Sequence, residues 1–349
     1  MFFASDNQGP VPEAVLEALC VANQGYAASY GADAITLDVV SKIQTLFEAP
    51  DAAVYLAATG TAANTLALAC LCPPWATIYC SPVAHIQEDE CNAPEFFTGG
   101  AKLNLVGSDD KLTPDALEQA ILGTAQGDVH GPQRGPVSLT QITEKGRIYT
   151  LSELSELCAV AKAYDLPVHM DGARFANAIV ALGCSAAEMT WRCGIDALTF
   201  GGTKNGLMGV EAVIFFDPKY AWEFELRRKR GAHLFSKNRF LAAQMQAYLE
   251  QDLWRDLAQK ANDNSAYLAQ GLRKLDAVRF QYEPAANMIF AYMPRAVVQR
   301  ARQGGAVFSV WSGDIAHGPA EEELVTRLVC DWSLETSQID QFLRLIAPA

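Results

Sequence analysis

Short apolar segments alternate with helical patterns across residues 53–216, and this alternation limits the fold more than any other feature of the chain. Seven segments are apolar or β-branched and bounded by turn residues, as strands are: 53–57, 77–80, 102–106, 136–140, 167–170, 197–200 and 212–216. Helical patterns lie between most of them, over 61–72, 112–122 and 152–164. The alternation predicts an α/β fold whose large domain holds a mostly parallel, seven-stranded sheet between helices.

The pattern changes after about residue 217. Residues 236–275 form one long helical pattern or two abutting ones, with an apolar stripe that includes Leu241 and Met245. Shorter strand and helix patterns follow, at 278–282, 288–292, 294–302, 306–310, 324–330 and 337–346. They predict a small α+β C-terminal domain. The expected division is N-terminal helices with a substrate-contacting segment over 1–50, a large domain over 51–236, and a long helix with the small domain over 237–349.

Charge and cysteine content limit the partners that we expect. The chain has 27 Lys and Arg against 40 Asp and Glu, a net charge of −13, and such a surface repels phosphate backbones and anionic lipid. We therefore expect neither nucleic acid nor a membrane as a partner. The nine cysteines form no CxxC pair, which indicates reduced thiols in a cytoplasmic protein. The cluster of Cys70, Cys72, Cys80 and His85 lacks zinc-ligand spacing, and we expect no metal.

Charged side chains follow two of the predicted strands. The segment HMDGAR places Asp171 and Arg174 at a strand end, which is where open α/β sheets bind ligands. The segment FGGTKNG places Lys204 among glycines, which allow close approach of a ligand. A lysine enclosed there loses proton affinity and becomes a usable amine nucleophile. Taken alone, a surface ion pair and a solvated lysine in a glycine turn also fit these segments.

A third segment lies between a strand and a helix. Gly60 and Thr61 stand at the helix start, where free N–H groups and the helix dipole favour phosphate. No GxGxxG occurs, which disfavours a dinucleotide and a dehydrogenase. Together with Asp171 and Lys204, this segment describes a pyridoxal-phosphate site. The phosphate would lie on residues 60–62, the aldehyde would condense with Lys204, and Asp171 would keep the pyridine nitrogen protonated.

Six motifs are spread from residue 4 to residue 336: ASDN (4–7), GTAAN (60–64), AHIQEDECNAPEFF (84–97), HMDGARFANA (169–178), FGGTKNG (200–206) and RLVCDWSLET (327–336). In this order and spacing they resemble the low-specificity L-threonine aldolases, which are fold-type-I pyridoxal-phosphate enzymes of the aspartate-aminotransferase type. The resemblance implies reversible cleavage of L-threonine, L-allo-threonine and related β-hydroxy-α-amino acids to glycine and an aldehyde.

The resemblance also implies roles for the residues that hold the cofactor. Lys204 resembles the Schiff-base lysine, and Asp171 resembles the partner of the pyridine nitrogen. Gly60 and Thr61 resemble the phosphate cup, although Ala58 and Thr59 stand where the family often has Ser-Asn. His85 resembles the histidine that stacks on the ring; from the residues alone it would more often be a structural histidine.

On the substrate side, Arg174 resembles the arginine that binds the carboxylate, and Ser5 and Arg327 resemble its helpers. His130 matches a second histidine near the substrate hydroxyl. The resemblance implies that His85, His130 or a water that they orient removes the hydroxyl proton.

The family commonly supplies a cationic side chain to the phosphate from a neighbouring subunit. The run RRKRG (227–231) offers four candidates, and we expect Arg228 or Lys229 to be the contact, although such a run is usually a solvated face. This implies a homodimer or homotetramer with active sites at the dimer interface. Alternatives on the same fold are a phenylserine aldolase, a hydroxymethyltransferase, an aminotransferase and a β-eliminating lyase. A binding protein that kept the cofactor is a further alternative, which the complete set of site residues disfavours.

Overall fold

A seven-stranded sheet forms the centre of the computed structural model, which describes residues 1–348. Its strands are β1 (Ala53–Ala57), β2 (Thr77–Cys80), β3 (Lys102–Leu105), β4 (Val137–Thr140), β5 (Val168–Gly172), β6 (Ala197–Gly201) and β7 (Glu211–Phe215). They lie in the order β1-β7-β6-β5-β4-β2-β3. Only β7 runs antiparallel to its neighbours in this sheet, β1 and β6. The predicted α/β fold with a mostly parallel sheet is confirmed, and each strand ends within two residues of its predicted bounds.

Helices enclose this sheet: α1 (Glu13–Ala22), α2 (Ala34–Leu46), α3 (Gly60–Leu71), α4 (His85–Glu88), α5 (Ala93–Thr98), α6 (Pro114–Gly123), α7 (Leu151–Ala163), α8 (Phe175–Leu182), α9 (Ala221–Arg230) and α10 (Arg239–Leu249). Every residue of β5, β6 and β7 is buried, as expected for strands covered on both faces. Polar side chains define the helix starts. Thr59 accepts the Ala62 N–H at 3.2 Å, and Thr150 with Glu153 forms a capping box on α7.

A second, antiparallel sheet forms the small domain. Its strands are β8 (Arg279–Phe280), β9 (Met288–Pro294), β10 (Ser309–Ser312) and β11 (Glu323–Val329), in the order β10-β11-β9-β8. The accompanying helices are α11 (Leu253–Leu272), α12 (Arg295–Gln303) and α13 (Thr336–Ile346). The long pattern over 236–275 is two helices, because Gln251 and Asp252 between them take φ angles of 50° and 56°.

The strand predicted over 306–310 begins later, at Ser309. The reason is that Val307 pairs with the N-terminal segment instead: it accepts the Phe3 N–H at 2.7 Å and donates its own N–H to Met1 O at 2.9 Å. Phe3 is fully buried, and its ring packs on Phe342 with centroids 4.8 Å apart. The N-terminal segment is thereby held against the small sheet, and the residues that follow it reach the junction with the large sheet.

The helices described over residues 1–348 include none with both the length and the apolar character needed to cross a membrane.

Candidate active site

The sheet topology brings the predicted site residues to one edge. β1 and β6 are both antiparallel to β7 and so run in the same direction, and β5 is parallel to β6. The carboxyl ends of these three strands therefore meet at a single edge. Asp171 lies at the end of β5, Lys204 follows β6, and Gly60 begins the helix that follows β1.

Asp171 is a buried carboxylate with both oxygens engaged. Oδ1 accepts the backbone N–H of Ala173 at 2.9 Å, and Oδ2 accepts the side-chain amide Nδ2 of Asn64 at 2.9 Å. Burial by itself would raise the pKa of Asp171, but the nearby positive charges of His85 and Lys204 and the Ala173 hydrogen bond lower it below 3.8. Asp171 is therefore ionised at neutral pH, as a partner of a protonated ring nitrogen must be.

A hydrogen-bonded network joins Asp171 to His85. Glu90 Oε1 lies 3.0 Å from Asn64 Nδ2 and 2.9 Å from His85 Nδ1, and the Glu90 side chain has no exposed surface. The hydrogen bond to Glu90 raises the pKa of His85, although burial opposes it. His85, Glu90 and Asp171 offer ligand atoms within 4.8 Å of one another. Because Asn64 already donates to both carboxylates, we interpret the group as a hydrogen-bonded network and not as a metal site.

A second buried carboxyl group shapes the turn that carries Lys204. Glu211 Oε2 accepts the backbone N–H of Gly202 at 2.7 Å, and burial raises the pKa of Glu211 to about 7. Gly202 has no room for a side chain, since a Cβ there would lie 2.7 Å from Val210 O. On the far side of Lys204, Asn205 donates to the Tyr248 hydroxyl at 2.7 Å. The segment around Lys204 is thus anchored on both sides.

The Lys204 amine is free to react. Burial lowers its pKa below 10.5, and the positive charge of Arg174 lowers it further. Within residues 1–348 its amine has neither a hydrogen-bond partner nor an ion-pair partner. A lysine with lowered proton affinity and no partner is suited to attack a carbonyl carbon.

The guanidinium of Arg174 lies against a carboxylate from the N-terminal segment. Arg174 Nε and Nη2 donate to the two oxygens of Asp6 at 2.7 and 2.9 Å, and both side chains are buried. Asn287 of the small domain also donates to Asp6, at 3.2 Å. Arg327 stands nearby, and its Nη1 reaches Ala4 O only at 3.5 Å. Its buried Nε has no partner within the described residues.

Several site residues escaped sequence reasoning. Asp6 lies next to the predicted Ser5, whose own hydroxyl accepts the Asn7 N–H at 3.1 Å and so caps the turn. Asn64 was hidden within an apolar helix, although GTAAN was singled out as a motif. Glu90 belongs to the acidic run EDE, which is typical of a solvated surface. Its spacing of five residues from His85 was the available signal.

Three predicted residues have no contact with this group in the part of the chain that the structure describes. His130 is exposed in a loop, where its backbone N–H donates to Asp128 Oδ1 at 3.0 Å. Arg228 is buried, with its guanidinium 5.0 Å from the centre of the Tyr55 ring. Lys229 is exposed and lies 5.3 Å from the centre of another tyrosine ring. Their predicted roles stay predictions.

Comparison with known proteins identifies a matching family model and relatives that are similar to this chain over most of its length. The family model described as beta-eliminating lyase matches residues 3–296. The chain is 38% identical over 343 residues to a low specificity L-threonine aldolase from Pseudomonas aeruginosa, covering 98% of this chain and 96% of that protein. It is 26% identical to the enzyme of the same description from Escherichia coli, over 82% of each chain.

The fold matches a solved threonine aldolase from Leishmania major with a TM-score of 0.91, 24% identity, and coverage of 99% of this chain and 98% of that one. A putative aromatic amino acid beta-eliminating lyase/threonine aldolase from Exiguobacterium matches with a TM-score of 0.75 and 19% identity, over 99% and 96% of the two chains.

Proposed function

Because this chain belongs to the beta-eliminating lyase family and to the low-specificity L-threonine aldolases, we propose that it cleaves L-threonine, L-allo-threonine and related β-hydroxy-α-amino acids to glycine and an aldehyde, with pyridoxal phosphate as its cofactor. The reaction is that of a reversible carbon–carbon lyase. One observation carries the proposal. The ionised carboxylate of Asp171 at the end of β5 lies beside the guanidinium of Arg174 and near Lys204, which follows the parallel strand β6 and whose amine has no partner in residues 1–348.

The residues present fit pyridoxal phosphate. Gly60 and Thr61 lie in the first turn of α3, where backbone N–H groups lack intrahelical partners, and a Cβ on Gly60 would meet nothing within 4 Å. This helix end would hold the phosphate, Asp171 the ring nitrogen, Lys204 the aldehyde carbon and His85 the ring face. When bound, the cofactor supplies an electron sink for the electron pair of the substrate Cα–Cβ bond.

Arg174 and Arg327 would bind the substrate carboxylate, with Ser5 beside them. Burial lowers the pKa of Arg327 to about 10, so its guanidinium stays protonated at neutral pH. Its buried, unpartnered Nε is a donor that an incoming carboxylate would satisfy. Two guanidinium groups would neutralise the charge of the substrate carboxylate and also fix its orientation.

His85 is the residue of this chain that we assign to the hydroxyl proton. Its Nδ1 faces Glu90, which leaves Nε2 as the atom that can accept a proton, directly or through a water. We keep His130 as a second proton acceptor on the strength of the resemblance alone.

We further propose a cytoplasmic homodimer or homotetramer in which a neighbouring subunit contributes to the phosphate site. The nine cysteines are all free thiols, as in a reducing compartment. Phe96 and Leu226 expose 79% and 52% of their surface and line a groove of about 610 Å³. Apolar side chains exposed together favour an interface between subunits. Of the two basic candidates, Lys229 is the exposed one and Arg228 is buried within its own chain.

The test is aldehyde release by the purified protein with added pyridoxal phosphate, without folate or a keto acid. We expect acetaldehyde and glycine from L-threonine and L-allo-threonine, and benzaldehyde from the two L-phenylserine diastereomers, at rates that fall without the cofactor. Lys204→Ala should remove both the absorbance of the lysine-bound cofactor and glycine formation. Lys219→Ala is the matched control, because that lysine is 62% exposed. Wild-type glycine formation by Lys204→Ala would refute the assignment.

A further inference from the structure

Glu90 connects the two side chains that are proposed to hold the cofactor ring. A single oxygen, Oε1, accepts from His85 Nδ1 at 2.9 Å and from Asn64 Nδ2 at 3.0 Å. The same Asn64 nitrogen donates to Asp171 Oδ2 at 2.9 Å. Glu90 is therefore one hydrogen bond from His85 and two hydrogen bonds from Asp171.

We propose that Glu90 is a positioning residue, which fixes the ring of His85 and, through Asn64, the carboxylate of Asp171. This inference rests on the proposed function and deepens it. Glu90 touches neither substrate nor cofactor in this role. It keeps His85, which would lie on the face of the cofactor ring, and Asp171, which would bind the ring nitrogen, in a fixed position relative to each other.

The chemistry of a carboxylate decides which nitrogen of His85 carries the proton. Burial raises the pKa of Glu90, and its hydrogen bonds with His85 and Asn64 oppose that rise. In its ionised form the carboxylate only accepts hydrogen bonds, so a neutral His85 must donate from Nδ1 and keep the lone pair on Nε2. Other groups face the same histidine. Glu144, between β4 and α7, accepts the His85 backbone N–H at 2.8 Å; Asp171 of β5 favours the protonated ring, and Lys204 after β6 opposes it. Of these groups, Glu90 alone bonds to the imidazole ring.

The partners of Glu90 suggest two variants that separate geometry from charge. Because both hydrogen bonds use Oε1 and Oε2 has no partner in residues 1–348, a glutamine fits the site and keeps both bonds through its oxygen. Glu90→Gln therefore removes only the charge, whereas Glu90→Ala removes the bonds as well. Glu88→Gln is the matched control, since Glu88 is exposed on the same segment.

Two measurements on the full-length protein distinguish positioning from a merely structural role. The first is the Kd for pyridoxal phosphate, from its absorbance; we expect a rise of about tenfold for Glu90→Ala, about the value of one net hydrogen bond, and a change below about threefold for Glu90→Gln. The second is the pH at which His85 titrates, followed by NMR of ¹³C-labelled histidine and assigned with His85→Asn. For Glu90→Gln it should fall by about one unit, because a charge-assisted bond becomes a neutral one.

The acid limb of the pH profile of kcat/KM should move to lower pH by the same amount, because His85 must be neutral to accept a proton. An unchanged His85 titration in Glu90→Gln would overturn the proposal, even if Glu90→Ala fails to fold. A shift of the same size in Glu88→Gln would also overturn it. If the wild type binds the cofactor but releases no aldehyde, the proposed substrates are wrong, while the Kd and the His85 titration still decide the role of Glu90.

Discussion

Asp6→Asn should destabilise the folded chain by about 3 kcal/mol. The carboxylate of Asp6 is 1% exposed and donor groups of Arg174 reach both its oxygens, at 2.7 and 2.9 Å. Removing one member of a buried ion pair costs roughly 3–5 kcal/mol, since the remaining charge has no counterion. We expect the low end of that range, because the asparagine oxygen retains one of the two bonds.

Thermal unfolding of the cofactor-free protein measures this effect. At roughly 2.1 cal/mol/K per residue, the entropy of unfolding of a chain this long is about 0.7 kcal/mol/K, so the expected loss lowers Tm by about 4 °C. Asp51→Asn, at an exposed position, is the control and should leave Tm unchanged. The double variant Asp6→Asn/Arg174→Met should recover part of the loss, because no unpaired charge is then left buried.

The pH dependence provides an independent check. Burial would raise the pKa of Asp6, but the charges of Arg174, Lys204 and Arg327 bring it below 3.8. The stabilisation by Asp6 is therefore fully present above the unfolded-state pKa and disappears as the pH falls through the lower, folded-state value. The difference in Tm between wild type and Asp6→Asn should shrink below pH 4. Equal Tm values at neutral pH, or a difference that grows in acid, would refute the reasoning.

Three further predictions concern His169, two glycines and Arg327. Burial lowers the pKa of His169 to about 4, so between pH 6.5 and 4 this histidine takes up a proton in the unfolded chain but not in the folded one. The free energy of unfolding should therefore fall by about 3 kcal/mol across that range. Urea unfolding should show a smaller fall for His169→Gln. Gly201→Ala should prevent stable folding, because its Cβ would lie 2.5 Å from Ala173 O. Gly60→Ala should fold normally but raise the Kd for the cofactor, because its Cβ would project into the open space at the helix start. Arg327→Met should raise the KM for L-threonine about 10- to 100-fold, which corresponds to the loss of a charge-assisted hydrogen bond, and should leave Tm within about 2 °C of the wild type. An unchanged KM would exclude Arg327 from carboxylate binding.

The sheet was predictable because its central strands are buried on both faces and so read as short apolar runs. The placement of Asp171 and Lys204 followed from the rule that strand ends carry ligands, and the structure confirms that both lie at the same edge. The antiparallel direction of β7 was not predictable, since an apolar strand such as Glu211–Phe215 reads alike in either direction. The late start of β10 depends on a pairing with the first residues of the chain, which local sequence does not reveal.

The site's supporting residues were the part that sequence could not provide. Asn64 and Asp6 act through partners 26 to 281 positions away, and no local pattern records such contacts. Glu90 also reaches Asn64 across 26 positions, and only its bond to His85, five positions away, is local. The sequence does not show whether a glutamate is buried or lies on the surface. What separates Glu90 from its exposed neighbour Glu88 is the packing around it, which only the folded chain contains.

The pairing of the N-terminal segment with the small sheet also determines when during synthesis the site can form. Asp6 contacts Arg174, 168 positions later, and Asn287, 281 positions later, and Arg327 is added later still. A nascent chain that has completed all seven strands of the large sheet therefore still lacks Arg327, one of the two arginines proposed to bind the substrate, and Asp6 has only one of its two partners. Contacts between such distant positions form slowly. We therefore expect activity to recover late in refolding, after helix content has returned.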